Sequence, residues 1–203
     1  MKLSRRIVVL SFPSLFVIFT ATAYLCGTER WNVKVCKDPQ VKVLFENNSV
    51  ASHQLKPFVP TIISHLVGMQ VPGQLALHTP RFVNSEAETT IYELNATLIE
   101  YKEERGHNGD NDYHLVIRDS SGNSMVAEIP KENCLANTPE PLRSMIRQAR
   151  ADFNSKFTVT GSFQNTNTKV KITGQGFFDR PHASATATNG IEIHPVMKIE
   201  FLN

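Results

Sequence analysis

Cysteine and tryptophan are scarce in this chain, with three and one among 203 residues. The cysteines, Cys26, Cys36 and Cys134, form no C-x-x-C pair, so a zinc ribbon or a thioredoxin-like redox centre is excluded. H-E-x-x-H, a G-x-S-x-G elbow, a Walker A loop and a dinucleotide fingerprint are all missing, which removes the common metalloprotease, serine-hydrolase, nucleotide-hydrolysing and nicotinamide-dependent classes. A surplus of either charge is lacking too. The chain has 21 basic and 19 acidic residues, and three of the cations, Lys2, Arg5 and Arg6, fall in the first 23 residues, which hold no acid; the remainder is 18 against 19. Binding to a phosphate backbone draws on a basic excess, so there is no strong nucleic-acid signal. The N-terminal apolar run, Ile7 to Phe19, is interrupted by Pro13 and Ser14 and falls short of the ~20 residues that span a bilayer.

What is present begins at the N-terminus. Lys2, Arg5 and Arg6 precede the apolar run, and Ala21, Thr22 and Ala23 follow it, the pattern of a cleavable secretory signal over residues 1–23. Cleavage after Ala23 would leave a periplasmic or secreted chain with no stable membrane span. A retained anchor is one rival. Lipidation at Cys26 is another, although Leu25 stands where lipid attachment wants a small residue. In an exported chain disulfides persist, and one bridge with one unpaired thiol is the simplest accounting, three buried thiols being the alternative. A bridge to Cys134 would tie the N-terminal segment to the rest of the fold.

An apolar fraction of 41% suits one globular core. Residues 24–89 read as an irregular arm packing on the domain, with a short strand at Trp31–Val35, a short helix at Thr61–Leu66 and a linker over 72–80. From Thr90, Tyr92, Leu94, Ala96 and Leu98 alternate with polar residues, so a half-buried strand runs to Glu104. Turn formers at 106–111 lead to a strand Tyr113–Arg118, with Leu115 and Ile117 on one face and His114, Val116 and Arg118 on the other; Ser124–Ile129 returns after a turn. Leu142, Met145, Ile146, Ala149 and Phe153 recur at helical spacing, with Thr138 expected as N-cap and Pro139 at the first helical position. Strands are expected at Phe157–Phe163, Lys169–Phe177 and Ile191–Phe201. The expected fold is mainly β with one α-helix, an OB-fold-like five-stranded Greek-key barrel over residues 90–203 preceded by the arm.

Potentially reactive side chains concentrate near the C-terminus. Glu192 and His194 are two apart in a strand and share a face. In an OB-like barrel the 105–112 and 180–190 connections border the binding face, so His107, Asp110, Asp112 and His114 would meet Asp179, His182, Glu192 and His194. Ligand contacts are then expected from His107, Asp112, His114, Phe178, His182, Glu192 and His194. Imidazoles and carboxylates also serve Zn²⁺ and acid–base chemistry. A metal-assisted catalytic set would be His114, Asp179, His182, Glu192 and His194, with His182, His194 and Glu192 as ligands of Zn²⁺ or another divalent cation. The bland alternative is a turn aspartate, a solvated His182 and an exposed pair at Glu192 and His194. Phe177 and Phe178 must face opposite sides of a strand, so one is either a stacking platform or covered by the arm.

Several segments carry a family resemblance: Glu29-Arg30-Trp31-Asn32-Val33-Lys34, Asp112-Tyr113-His114-Leu115-Val116-Ile117, Met125-Val126-Ala127-Glu128-Ile129-Pro130, Gly176-Phe177-Phe178-Asp179 with His182, and Asn189-Gly190-Ile191-Glu192-Ile193-His194-Pro195-Val196. Together they resemble bacterial exported proteins of uncharacterised function. The resemblance implies a secreted OB-like protein and brings no activity, substrate or cofactor. Where similar proteins have His-Gly-Gln, this chain has His182-Ala183-Ser184, and Cys36 is a departure that makes Cys26 and Cys134 the implied bridge. The leading expectation is an exported, non-catalytic module without a cofactor that recognises an unknown extracytoplasmic ligand, saccharide or protein. The alternative is a metal-assisted hydrolase of the phosphodiesterase or nuclease kind.

Overall fold

Period-two burial organises most of the chain. A computed structural model describes residues 43–76, 79, 81–82, 84–105, 110–136, 138–180 and 187–203. The signal segment, the Trp31–Val35 strand, Cys26, Cys36, His107 and His182 lie outside the described residues. In strand β2, Ile91–Glu103, the side chains of Tyr92, Leu94, Ala96 and Leu98 enter the main core. A register shift between Leu98 and Glu100 then lets Tyr101 face inward as well, three residues on rather than two or four.

The sheet has six strands and is mixed. Strand β1, Val59–Thr61, lies parallel to the first part of β2. β2 is antiparallel to β3, Tyr113–Arg118, and β3 to β4, Ser124–Ile129. β4 runs parallel to β6, Ile191–Phe201; β6 is antiparallel to β5, Gln164–Phe178, and β5 is antiparallel to β2. The pairings thus run β2–β3–β4–β6–β5 and return to β2, with β1 as an additional edge. Six strands rather than five is a correction. The sixth, β1, falls in a stretch whose Pro60 and exposed Phe58 and Val59 give no alternation to read.

Helices are also more numerous than one. Short helices α1, Ile63–Val67, and α2, Glu86–Thr89, precede β2, and α3 spans Leu142–Lys156. α3 starts later than Thr138 would place it. Pro141 occupies the cap position, and the Glu140 carboxylate accepts from Ser144 N at 3.1 Å and from Arg143 Nε at 2.8 Å, doing the work expected of Thr138. The strand expected at Phe157–Phe163 is irregular. Gln164 turns its side chain back on the segment, accepting from Thr160 N at 3.0 Å and donating to Thr158 O at 2.9 Å, while Phe157 and Val159 pack under the main core.

Among the described residues two apolar clusters stabilise the fold. The main one fills the inner face of the sheet and includes Leu115, Ile117, Ala127, Ile129, Ile172, Ile193 and Phe153, whose ring meets Tyr101, Tyr113, Phe157 and Phe201. The second, on the outer face, gathers Leu44 and Phe45 with Leu142, Ile146, Phe177 and Met197. Two clusters explain adjacent phenylalanines: Phe178 points inward and Phe177 outward, and each is almost completely buried, worth about 1.5–3 kcal/mol of burial apiece. α2 is seated on β5 by Glu88, whose carboxylate accepts from Phe82 N at 2.5 Å and Phe178 N at 2.8 Å. Gly176 permits the approach, since a Cβ there would lie 2.1 Å from Ala87 O. Among the described residues no helix is long and apolar enough to cross a membrane.

Candidate functional site

One transverse row of the sheet carries polar side chains on its outer face. Lys102 of β2 pairs in register with His114 of β3, and His114 with Glu128 of β4. Val126 and Ala127 pair with Glu192 and Ile193, so one step further sets Glu128 beside His194. The inner-face neighbours of this row, Leu115, Ala127, Ile129 and Ile193, belong to the main core, and strand alternation sends His114, Glu128, Glu192 and His194 the other way.

The contacts are close. His114 Nδ1 lies 2.8 Å from Glu128 Oε1, and His194 Nδ1 lies 3.1 Å from both Glu128 Oε2 and Glu192 Oε1. The connection after β2 contributes two aspartates. Asp110 Oδ1 accepts from Asp112 N at 2.8 Å, and Asp112 Oδ1 accepts from Lys131 N at 2.7 Å. Asp112 Oδ2 then sits 3.6 Å from His194 Nε2, beyond hydrogen-bond length. At the rim, Lys102 Nζ pairs with Glu104 at 3.0 Å and stacks over the exposed Phe163 ring, which is also edge-on to His114. Arg150 of α3 caps the other side, lying 3.5 Å over the Tyr113 ring and donating to Ile129 O and Asn111 O.

All of these acids and imidazoles except Glu104 are buried; Asp112 and His194 are 0% exposed and Glu192, the most open, 5%. Isolated charges do not survive such burial, so the groups must answer one another. Burial pushes the Asp110 carboxyl up to about 7, and the neighbouring Asp112 carboxylate adds to the rise. Burial also raises Asp112, against the pull of the His194 imidazole and the Lys131 N–H. On His194 burial acts downward, but the Asp112 and Glu192 carboxylates outweigh it and push the imidazole up to about 10. The arrangement can therefore hold a buried imidazolium among carboxylates, exchange a proton at Asp110 near neutral pH, or supply imidazole and carboxylate donors to a cation. Among the described residues, two groups of ligand atoms lie within 4.8 Å of one another, Glu104–His114–Glu128 and Asp112–Glu128–His194.

Of the residues singled out in the sequence, Asp112, His114, Glu192 and His194 are brought together, and Asp110 joins them. Asp179 belongs to neither ligand group; its N–H donates to Gly190 O just beyond β5. Phe178 lies inside the main core, edge-on to Phe82 at 6.4 Å. His107 and His182 fall outside the described residues. Sequence reasoning passed over Glu128, Glu104 and Arg150. For Glu128 a signal existed, a lone acid between Ala127 and Ile129 in a strand that is otherwise apolar after Ser124. Two open grooves share no residue with the cluster: one of about 440 Å³ between Asn95, Thr97, Arg118, Lys169 and Leu202, and one of about 510 Å³ between Val59, Ile62, His65 and Tyr92.

No protein-family model matches the chain, and no curated protein matches it significantly. Among solved structures, a crystal structure assigned to an aspartyl-tRNA synthetase of Leishmania major Friedlin is similar over 73% of this chain, with 17% identity and a TM-score of 0.41. The aligned part is 21% of that protein, so this chain spans about a fifth of its length. A likeness at this level carries no argument about activity.

Proposed function

We propose that this chain is an exported, non-catalytic binding module on an OB-like barrel, recognising a saccharide or a protein outside the cytoplasm. The carrying observation is the meeting of Asp112, which closes the connection between β2 and β3, with His194, the fourth residue of β6 after the connection from β5. In an OB-like order, with the helix between the third and fourth barrel strands and the third and fifth strands parallel, those two connections flank the ligand face. The polar row lies beneath that face. Its burial favours a supporting role over direct attack on a substrate, and the exposed Phe163 ring beside Lys102 offers a stacking surface of the kind sugars and aromatic side chains use. The test is capture by the purified mature chain on a glycan array and in a protein pull-down. A specific ligand is expected, with Phe163→Ala weakening it at least tenfold at unchanged melting temperature; no enriched ligand on either platform counts against the module. N-terminal sequencing of the exported protein should begin at Tyr24.

A metal-assisted phosphodiesterase or nuclease using His114, Asp179, His182, Glu192 and His194 has one observation in its favour, the convergence of His114, Glu192 and His194 within one row. It requires hydrolysis of a phosphodiester by the zinc-loaded chain, abolished in His194→Ala. An inactive wild type removes it.

A further inference from the structure

Asp112 is completely buried, yet its Oδ2 accepts no hydrogen bond. The other oxygen is held by Lys131 N, which fixes the carboxylate and aims Oδ2 at the His194 ring. A carboxylate oxygen enclosed without a donor is costly, and a bound ion is one way in which such an oxygen is satisfied. We infer that Asp112, Glu128 and His194 form a site for one divalent transition-metal cation, with Zn²⁺ the best chemical match. One donor atom from each of the three lies within 4.8 Å of the others. Ligands on a tetrahedral ion bound at about 2.0–2.2 Å lie roughly 3.3–3.6 Å apart, so loading draws the three donors together by about 1 Å at most.

Donor chemistry selects the ion class. An imidazole with two carboxylates suits Zn²⁺ or its transition-metal neighbours, whereas Ca²⁺ and Mg²⁺ take oxygen ligands. Position selects this group over Glu104–His114–Glu128, because Glu104 is already engaged by Lys102 and is partly open to solvent. The three ligands come from the end of the β2–β3 connection, from β4 and from β6. A bound ion would join three separate parts of the chain at one point, whether or not the face above it takes a saccharide.

The test uses the full mature chain, stripped with a chelator and reloaded with Zn²⁺ alone. Elemental analysis and calorimetric titration should find one zinc per chain, with Ca²⁺ failing to compete. Asp112→Asn keeps the size of the side chain and an acceptor for Lys131 N but removes the charge, and it should weaken zinc binding at least tenfold. His194→Gln should do the same, while His65→Ala on α1 should change nothing. Zinc-edge X-ray absorption on the wild type should show one imidazole nitrogen with oxygen ligands and no sulfur. A folded wild type that takes up no zinc overturns the site, as does binding unaltered in both variants. Should both variants misfold, the absorption spectrum decides alone, and a sulfur-containing or all-oxygen shell overturns the assignment. Ligand capture with and without zinc is a separate reading, so failure of the binding module and failure of the cation site are distinguishable.

Discussion

Glu88 shows how much one buried side chain can organise. Its carboxylate satisfies two backbone N–H groups from separate segments, Phe82 and Phe178, and its own carbonyl accepts from Arg81 and Gln175. Each buried donor left without a partner costs about 1–3 kcal/mol, so Glu88→Ala should lose on the order of 3 kcal/mol. Urea unfolding checks this as a lower midpoint at unchanged slope; a loss under about 0.5 kcal/mol would mean that water replaces the carboxylate. Part of the candidate site was readable at this scale. Period-two spacing alone puts Glu192 and His194 on one face, and they lie 3.1 Å apart. Asp112 could be brought to them only through the expected barrel order, and Glu128 not at all, because the β4–β6 register that sets it beside His194 links residues more than sixty positions apart.

Among elements, Tyr113–Arg118 and Ser124–Ile129, whose alternation is unbroken, were readable to their ends, and so was Ile191–Phe201 even though its register on β5 shifts partway along. Boundaries set by side chains reaching back along the chain were not. Glu140 shifts the start of α3, and Gln164 ends an irregular stretch that composition alone marks as strand. The turn between β3 and β4 depends on a similar device. Asp119 Oδ1 accepts from Ser121 N and Asn123 N, and Oδ2 accepts from Ser64 N of α1 and from the Asn123 side chain. Slight burial raises its carboxyl, but the bonds from Asn123, Ser121 and Ser64 outweigh that and hold it below the usual carboxylate range. A folded value below the unfolded one, about 3.9, means stability that is present above that pH and lost as pH falls through the folded value. Asp119→Ala should therefore be less stable than wild type by a constant margin at pH 6–8, with the margin shrinking below about pH 4. Thermal melts across that range check it, and a margin undiminished at strongly acid pH would show that the carboxylate charge is not what holds the turn.

For the whole molecule, β6 connects β4 to β5 and contributes Ile193, Val196 and Ile199 to the main core. A chain ending at residue 190 should accordingly show no cooperative urea transition and no fixed near-ultraviolet signal, since β4 and β5 would both be left with open edges. A cooperative transition in that fragment would mean that β6 is an accessory strand. The return of the pairings to β2 also has a bearing on synthesis. Ile91 pairs with Gln175, and β5 is completed by a strand whose last residues are Phe201 and its neighbours. Contacts so distant along the chain make for slow folding, on the order of milliseconds to seconds. Until β6 has emerged from the ribosome, β4 and β5 have no strand between them, so the nascent polypeptide closes its sheet only once the stretch up to Phe201 is free.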